Sequence, residues 1–236
     1  MKYPVCLDEY WLNKDKVNPY CFIEEFSKYT KEGDKIICAD GTACVTTFQG
    51  IRIKKNQRVF HNSGCASMGY ELPATIGAFF ADTNQERIIC IAGDGSIMMN
   101  LQELQTIAGL DIPAQIFILN NNGYHSIRQT QNSFFKDNIV GCGIESGLTF
   151  PNFEKIANAF EFKYFSISNH EELKNKLGEI MKSNNKFICE ITLDLNQQFS
   201  PKVTSKKLED GSMITSSLED MWPFLTKEEL DSNIIN

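Results

Sequence analysis

The eight cysteines of this sequence include no Cys-X-X-Cys pair, and several lie inside apolar runs, so they read as buried thiols of a reducing cytoplasm. No apolar run approaches the ~18 residues that a membrane-spanning helix needs. Met1-Lys2-Tyr3-Pro4 leads toward acidic residues rather than into a signal-peptide core. Basic charge is also scarce: the net charge is −7, with Lys and Arg scattered, which argues against nucleic acid as a partner. There is no internal repeat and no low-complexity segment. What remains is a soluble, cytoplasmic chain of 236 residues, 42% hydrophobic, long enough to bury one large α/β core with extensions.

The chain is organised around Arg87 to Tyr124. Ile88 to Ala92 is a short apolar run of the kind that forms a strand buried on both faces, and it stops abruptly in Gly93-Asp94-Gly95-Ser96. Ile97, Leu101, Leu104, Ile107 and Ala108 then recur at helical spacing with polar residues between them, predicting one amphipathic crossover helix that ends by Gly109 and Pro113. A second apolar run, Ala114 to Leu119, ends in Asn120-Asn121-Asn122-Gly123-Tyr124. Strand, helix and strand make one βαβ unit.

A right-handed βαβ crossover lays its strands parallel and brings their carboxyl ends to one edge, where open α/β sheets bind ligands. Asp94 and Asn121, 27 residues apart, are therefore expected to meet. A carboxylate and an amide oxygen with no imidazole or thiolate form a hard, oxygen-only donor set suited to Mg²⁺. Gly93, Gly95 and Ser96 are small enough to let backbone N–H groups at the helix start approach an anion, so a Mg²⁺-bridged diphosphate fits. Each motif alone is ordinary turn punctuation, and only their placement at the two ends of one unit favours a site.

Elsewhere, Asn18-Pro19 begins a helix to about Tyr29, Lys35 to Ala39 is a first core strand, and Gln57 to His61 is a short strand. In Asn62 to Gly69 the small residues permit close approach of a flat ligand, and Met68 offers it a polarisable surface. A helix from Leu72 to Ala81 follows, with Pro73 in its first turn. Beyond Pro151 come a helix (152–160), a strand (162–167), a helix (171–181) and a strand (187–193). The fold class is thus α/β: a doubly wound, mostly parallel sheet with helices on both faces, spanning residues 18–193. Residues 1–17 read as a linker anchored by Trp11 and Leu12. Residues 194–236, punctuated by Ser200-Pro201, Asp210-Gly211 and Trp222-Pro223, read as an irregular tail that covers the site or docks on a partner. His170 reads as a surface residue, and His125 as either an exposed loop histidine or a proton donor.

Gly93-Asp94-Gly95-Ser96, then Asn120-Asn121, Gly123-Tyr124 and Arg128-Gln129, with Ser63 to Ala81 upstream, resemble the signature of thiamine diphosphate enzymes, and within them the acetolactate synthase group. The resemblance covers nearly the whole chain. It implies the diphosphate-binding domain of such an enzyme, with thiamine diphosphate and Mg²⁺ as cofactors. Asp94, Asn121 and the Gly123 backbone oxygen would hold the metal. Gly93, Gly95, Ser96 and Tyr124 would line the cofactor, and Gly41, Thr42 and Ala43 would contact the diphosphate, although Thr42-Ala43 replaces the group's usual Gln-His pair. Met68 would bend thiamine's two rings into a V, with the Ala66 carbonyl beside the 4′-amino group. Ser126 and Thr130 replace a hydrophobic residue and a Trp that shape the acceptor pocket in acetolactate synthases.

The resemblance also implies a catalytic glutamate that comes from a separate pyrimidine-binding domain, and no segment of this chain matches that domain. No catalytic residue is therefore assigned here, and the isolated chain is expected to be inactive. Three readings stand. The chain is the cofactor domain of an acetolactate-synthase-like enzyme that decarboxylates or ligates small 2-ketoacids, with residues 1–17 leading in from a preceding domain. Alternatively, it is a natural subunit of a two-chain 2-ketoacid decarboxylase, or a non-catalytic cofactor-binding module. A site shared between subunits implies a homo-oligomer.

Overall fold

The computed structural model describes residues 2–81, 86–135, 138–207 and 211–234. Cys6–Gln197 form one compact unit, and Met1–Val5 with Gln198–Asn236 form a second. In the first, Asn18 caps helix α1 (Pro19–Tyr29) by accepting the Tyr20 N–H, and Pro19 occupies the first helical turn where its missing N–H costs nothing. Strand β1 (Lys35–Cys38) and helix α2 (Thr42–Gly50) follow, then β2 (Arg58–Phe60), α3 (Glu71–Ala81) and β3 (Ile88–Gly93). Helices α4 (Asp94–Ile97) and α5 (Glu103–Gly109) lead to β4 (Gln115–Asn120) and α6 (His125–Phe135). The unit closes with α7 (Phe153–Ala159), β5 (Lys163–Ile167), α8 (His170–Ile180) and β6 (Phe187–Thr192).

The six strands are all parallel in the order β2-β1-β3-β4-β6-β5. Successive side chains on a strand point to opposite faces, and the core divides accordingly. Ile89, Ile91, Phe117, Leu119, Cys189 and Ile191 face α1 and α8 through Phe22, Phe26, Leu173 and Leu177. Cys90, Ala92, Ile116, Ile118 and Ile188 face α3, α5 and α7 through Leu72, Leu104, Ile107 and Phe153. The α/β doubly wound architecture expected from the sequence is the one observed, and among the described residues this sheet has no antiparallel edge. Because β2 and β3 flank β1, the chain runs from β1 outward to β2 and then crosses back over β1 to β3, reversing the direction in which the sheet is wound. That makes the carboxyl ends of β1 and β3 a topological switch point, where such sheets open a crevice.

Three readings of the sequence need correction. The single crossover helix over 97–108 is instead two: α4 starts directly at Asp94, and a 3₁₀ turn at Met98–Asn100 separates it from α5. The apolar spacing reported burial of Ile97, Leu104 and Ile107 but not backbone continuity. His170 is buried, not exposed; its Nε2 accepts the Asn18 N–H at 2.8 Å and its ring lies 5.1 Å from that of Trp11. Trp11 does anchor the N-terminal segment against the core, whereas Leu12 is 75% exposed. Val17, at the end of the same segment, is fully buried and pairs with Leu193.

Residues 198–234 are more regular than their sequence indicates. β7 (Ser205–Lys207) pairs antiparallel with β8 (Met213–Thr215), and Thr226 caps α9 (Lys227–Asn233) by accepting the Glu229 N–H at 3.3 Å. Strands of three residues are too short to show a period, and α9 has no apolar stripe. Asp210 lies outside the described residues. Among the described residues, no helix is long and apolar enough to cross a membrane.

Candidate functional site

The crevice at the switch point is a cavity of about 120 Å³ built from three loops, each leaving the carboxyl end of a strand. Asp40, Gly41 and Thr42 enter from β1, Gly93 to Ser96 from β3, and Asn121 with Gly123 to Ile127 from β4, while Met68 closes one side. Gly41 has φ 69 and ψ −133, a conformation essentially restricted to glycine, and it turns the chain so that Thr42 opens α2 at the cavity. Ala43 and Ala66 do not line this wall: Ala43 is buried in the core on α2, and Ala66 sits on the exposed loop before Met68 with φ 53. A larger cavity of about 500 Å³ lies between β2 and α3, away from all three loops, and contains none of the expected site residues.

Asp94 is almost fully buried, and both of its oxygens are held by the backbone: Gly95 N–H donates to Oδ1 at 2.9 Å and Gly123 N–H to Oδ2 at 3.0 Å. The Gly95 N–H is thus directed at Asp94 rather than outward to an anion. Burial raises the Asp94 carboxyl to about 7, partly opposed by these donors and by Arg128. Asn121 is buried alongside. Its Nδ2 donates to the Thr42 hydroxyl at 3.2 Å, while its Oδ1 has no partner among the described residues. A carboxylate retains acceptor capacity after two hydrogen bonds. The cavity therefore offers an unspent carboxylate and an orphaned amide oxygen.

That donor set fits a hard divalent cation, which would supply a counter-charge to the buried carboxylate and a partner to the buried amide oxygen. Among the described residues no cluster of three His, Cys, Asp or Glu side chains offers an alternative metal site. The close approach of the loops also depends on glycine. A Cβ at Gly95 would stand 2.3 Å from Tyr124 Cε1, which sets the Tyr124 ring directly against the Asp94 turn.

Sequence reasoning missed what Arg128 does. Quoted in the sequence only as part of the signature and given no role, it is buried and donates to the carbonyls of Asn121 (3.3 Å), Asn122 (3.0 Å) and Cys142 (3.4 Å), fixing the asparagine loop from behind. His125 is buried at the start of α6 and contacts the Gln197 carbonyl at 2.8 Å; burial lowers its pKa. Glu71 is buried too, and its Oε2 accepts from the Ser96 hydroxyl at 2.9 Å. Nothing in the local sequence marks these contacts, because each is made by residues from different elements.

Residues 40–191, spanning all three loops, match the family described as "Thiamine pyrophosphate enzyme, C-terminal TPP binding domain". The chain belongs to this family. Acetolactate synthase large subunit from Porphyra purpurea is 35% identical over 153 residues, which cover 65% of this chain and 25% of that protein. Acetolactate synthase isozyme 3 large subunit from Escherichia coli (strain K12) is 29% identical over 228 residues, covering 95% of this chain and 37% of that protein. The corresponding protein of Cyanidium caldarium is 34% identical over 146 residues, 62% of this chain and 24% of its own length. The chain thus spans a quarter to somewhat over a third of these relatives. As a thiamine pyrophosphate enzyme domain of the acetolactate synthase type, it carries its GDGS and NN elements at the switch point of the sheet.

Proposed function

We propose that the crevice binds the diphosphate of thiamine diphosphate through Mg²⁺, held by Asp94, Asn121 and the Gly123 backbone oxygen, as half of an acetolactate-synthase-like site for small 2-ketoacids. The observation that carries this reading is the orphaned, buried Oδ1 of Asn121 in the same cavity as the backbone-held Asp94 carboxylate. Met68 orients the ring system from the side of the cavity, and the Tyr124 ring against Gly95 keeps water from the metal ligands. Thiamine diphosphate, when bound, supplies the electron sink for decarboxylation and for ligation to a second carbonyl. The glutamate that activates it belongs, on this reading, to a pyrimidine-binding domain contributed by a preceding segment or another subunit, in at least a dimer. Ser126 at the cavity wall leaves room for an acceptor different from those of the acetolactate synthases.

Isothermal titration calorimetry with thiamine diphosphate tests the site: binding is expected only with Mg²⁺ present and is expected to vanish in Asp94→Ala. Binding to wild type that ignores Mg²⁺, or persists in Asp94→Ala, overturns the assignment. Exchange of the cofactor C2 proton for deuterium tests the half-site. The isolated chain is expected to leave the free-cofactor rate unchanged, and strong acceleration would mean that a carboxylate of this chain reaches the pyrimidine.

A further inference from the structure

Gly69 is gripped by both of its backbone groups. Its N–H donates to the Ser96 hydroxyl at 2.9 Å, and its carbonyl accepts from the Asn100 side-chain amide at 2.9 Å. The Ser96 hydroxyl, oriented by that incoming N–H, donates onward to Glu71 Oε2 at 2.9 Å. Gly69 has φ 84, and a Cβ there would stand 2.7 Å from Met99 Cβ, so the turn sits hard against the segment that follows Ser96. The other hydrogen bonds of the exposed loop before it are mostly local: Cys65 and Ala66 N–H donate to the Asn62 carbonyl, and Asn62 Nδ2 to the Ser67 carbonyl. Apart from a Cys44–Ser63 contact at 2.8 Å, the grip on Gly69 is what ties this loop to its neighbours among the described residues.

Glu71 is an expensive way to hold a turn. It is 0% exposed, its Oε1 has no partner among the described residues, and burial raises its carboxyl to about 7. What Glu71 provides is a fixed acceptor for Ser96. We propose that Glu71 is a positioning residue that, through the Ser96 hydroxyl, locks the Met68-Gly69 turn onto the Asp94–Ser96 turn and so sets the Met68 side chain against the cofactor rings. Methionine is unbranched and has three rotatable bonds, so its placement depends on the backbone beneath it. The inference rests on the cofactor reading above and adds a residue to it.

The test compares Glu71→Gln, which keeps an acceptor for Ser96, with Glu71→Met, which keeps the volume and loses the acceptor. In free protein, hydrogen exchange of the Gly69 amide is expected to accelerate about tenfold or more in Glu71→Met and to stay near wild type in Glu71→Gln. Affinity for thiamine diphosphate with Mg²⁺ is expected to fall about tenfold in Glu71→Met and to be restored in Glu71→Gln, without a fall in Tm, since a buried carboxylate has been removed. Ser96→Ala should reproduce the exchange result, and the double variant should be no worse than either single one. Unchanged Gly69 exchange in Glu71→Met, or unchanged affinity, overturns the positioning role. Wild-type protein that binds no thiamine diphosphate sinks the cofactor reading instead, and the exchange data on free protein still judge the grip.

Discussion

The side-chain amide of Asn121 donates to the Thr42 hydroxyl at 3.2 Å, and this contact fixes which end of the amide faces the cavity. Thr42 follows the β1 turn where acetolactate synthases were expected to carry a Gln-His pair, so a residue that departs from that pattern orients the side chain proposed above as a metal ligand. Thr42→Val keeps the shape and removes the acceptor, freeing the amide to rotate. Mg²⁺-dependent affinity for thiamine diphosphate is expected to drop about tenfold in Thr42→Val and to be retained in Thr42→Ser, measured by calorimetry. Equal affinity in all three proteins would show that Thr42 has no part in orienting Asn121.

Asp94→Asn separates fold from binding. The carboxylate is buried and backbone-held, and among the described residues no side-chain cation forms an ion pair with it, so in metal-free protein its charge is a cost rather than a support. In thermal melts without metal, the Asp94→Asn protein is expected to show a Tm equal to or above that of wild type, while millimolar Mg²⁺ plus thiamine diphosphate raises only the wild-type Tm. A large fall in Tm without metal would make Asp94 a structural residue first.

His170 gives the fold a pH dependence of definite sign. Its Nε2 must be unprotonated to accept the Asn18 N–H, and burial lowers its pKa below the ordinary 6.5. The unfolded chain therefore takes up this proton before the folded one does. Stability contributed by the neutral ring is full above about 6.5 and is lost as pH falls through the folded-state value. The expected measurement is a urea-unfolding series from pH 8 to pH 5, in which wild type loses more stability than His170→Gln. Parallel curves would rule out the histidine as the source.

His170 also shows where the sequence stops being informative. Asn18 and His170 are 152 positions apart, and a polar helix start gives no sign that its first residue points inward. Glu71 and Arg128 were opaque for the same reason: buried polar groups are defined by distant partners, and local periodicity reports only apolar burial. By contrast, the strands around Ile88–Ala92 and Ala114–Leu119 were legible because both faces are buried, and the meeting of Asp94 with Asn121 followed from the handedness of one crossover. The interruption of the crossover helix at Met98–Asn100 was hidden, since Ile97 and Leu104 keep helical spacing across it.

Gly123 is the position where the β4 loop tolerates least. Its φ is 147, and a Cβ there would meet the Cys142 carbonyl oxygen at 2.1 Å and Arg128 Nη2 at 2.8 Å. The first of these is backbone, pinned by the Tyr124 N–H at 2.9 Å, so it cannot swing aside as a side chain would. Relief requires a backbone shift of the Cys142 segment or of the loop that carries Asn121, which hydrogen-bond each other through Tyr124 N–H, and the latter also supplies the N–H that holds Asp94 Oδ2. Gly123→Ala is therefore expected to cost about 1–3 kcal/mol of stability and to lose Mg²⁺-dependent cofactor binding together with it. Gly64→Ala is the control: nothing lies within 4 Å of a Cβ at that site, and its melt should match wild type. If Gly123→Ala melts and binds like Gly64→Ala, the loop is free to relax, and the rigid geometry assigned to Asp94 and Asn121 is wrong.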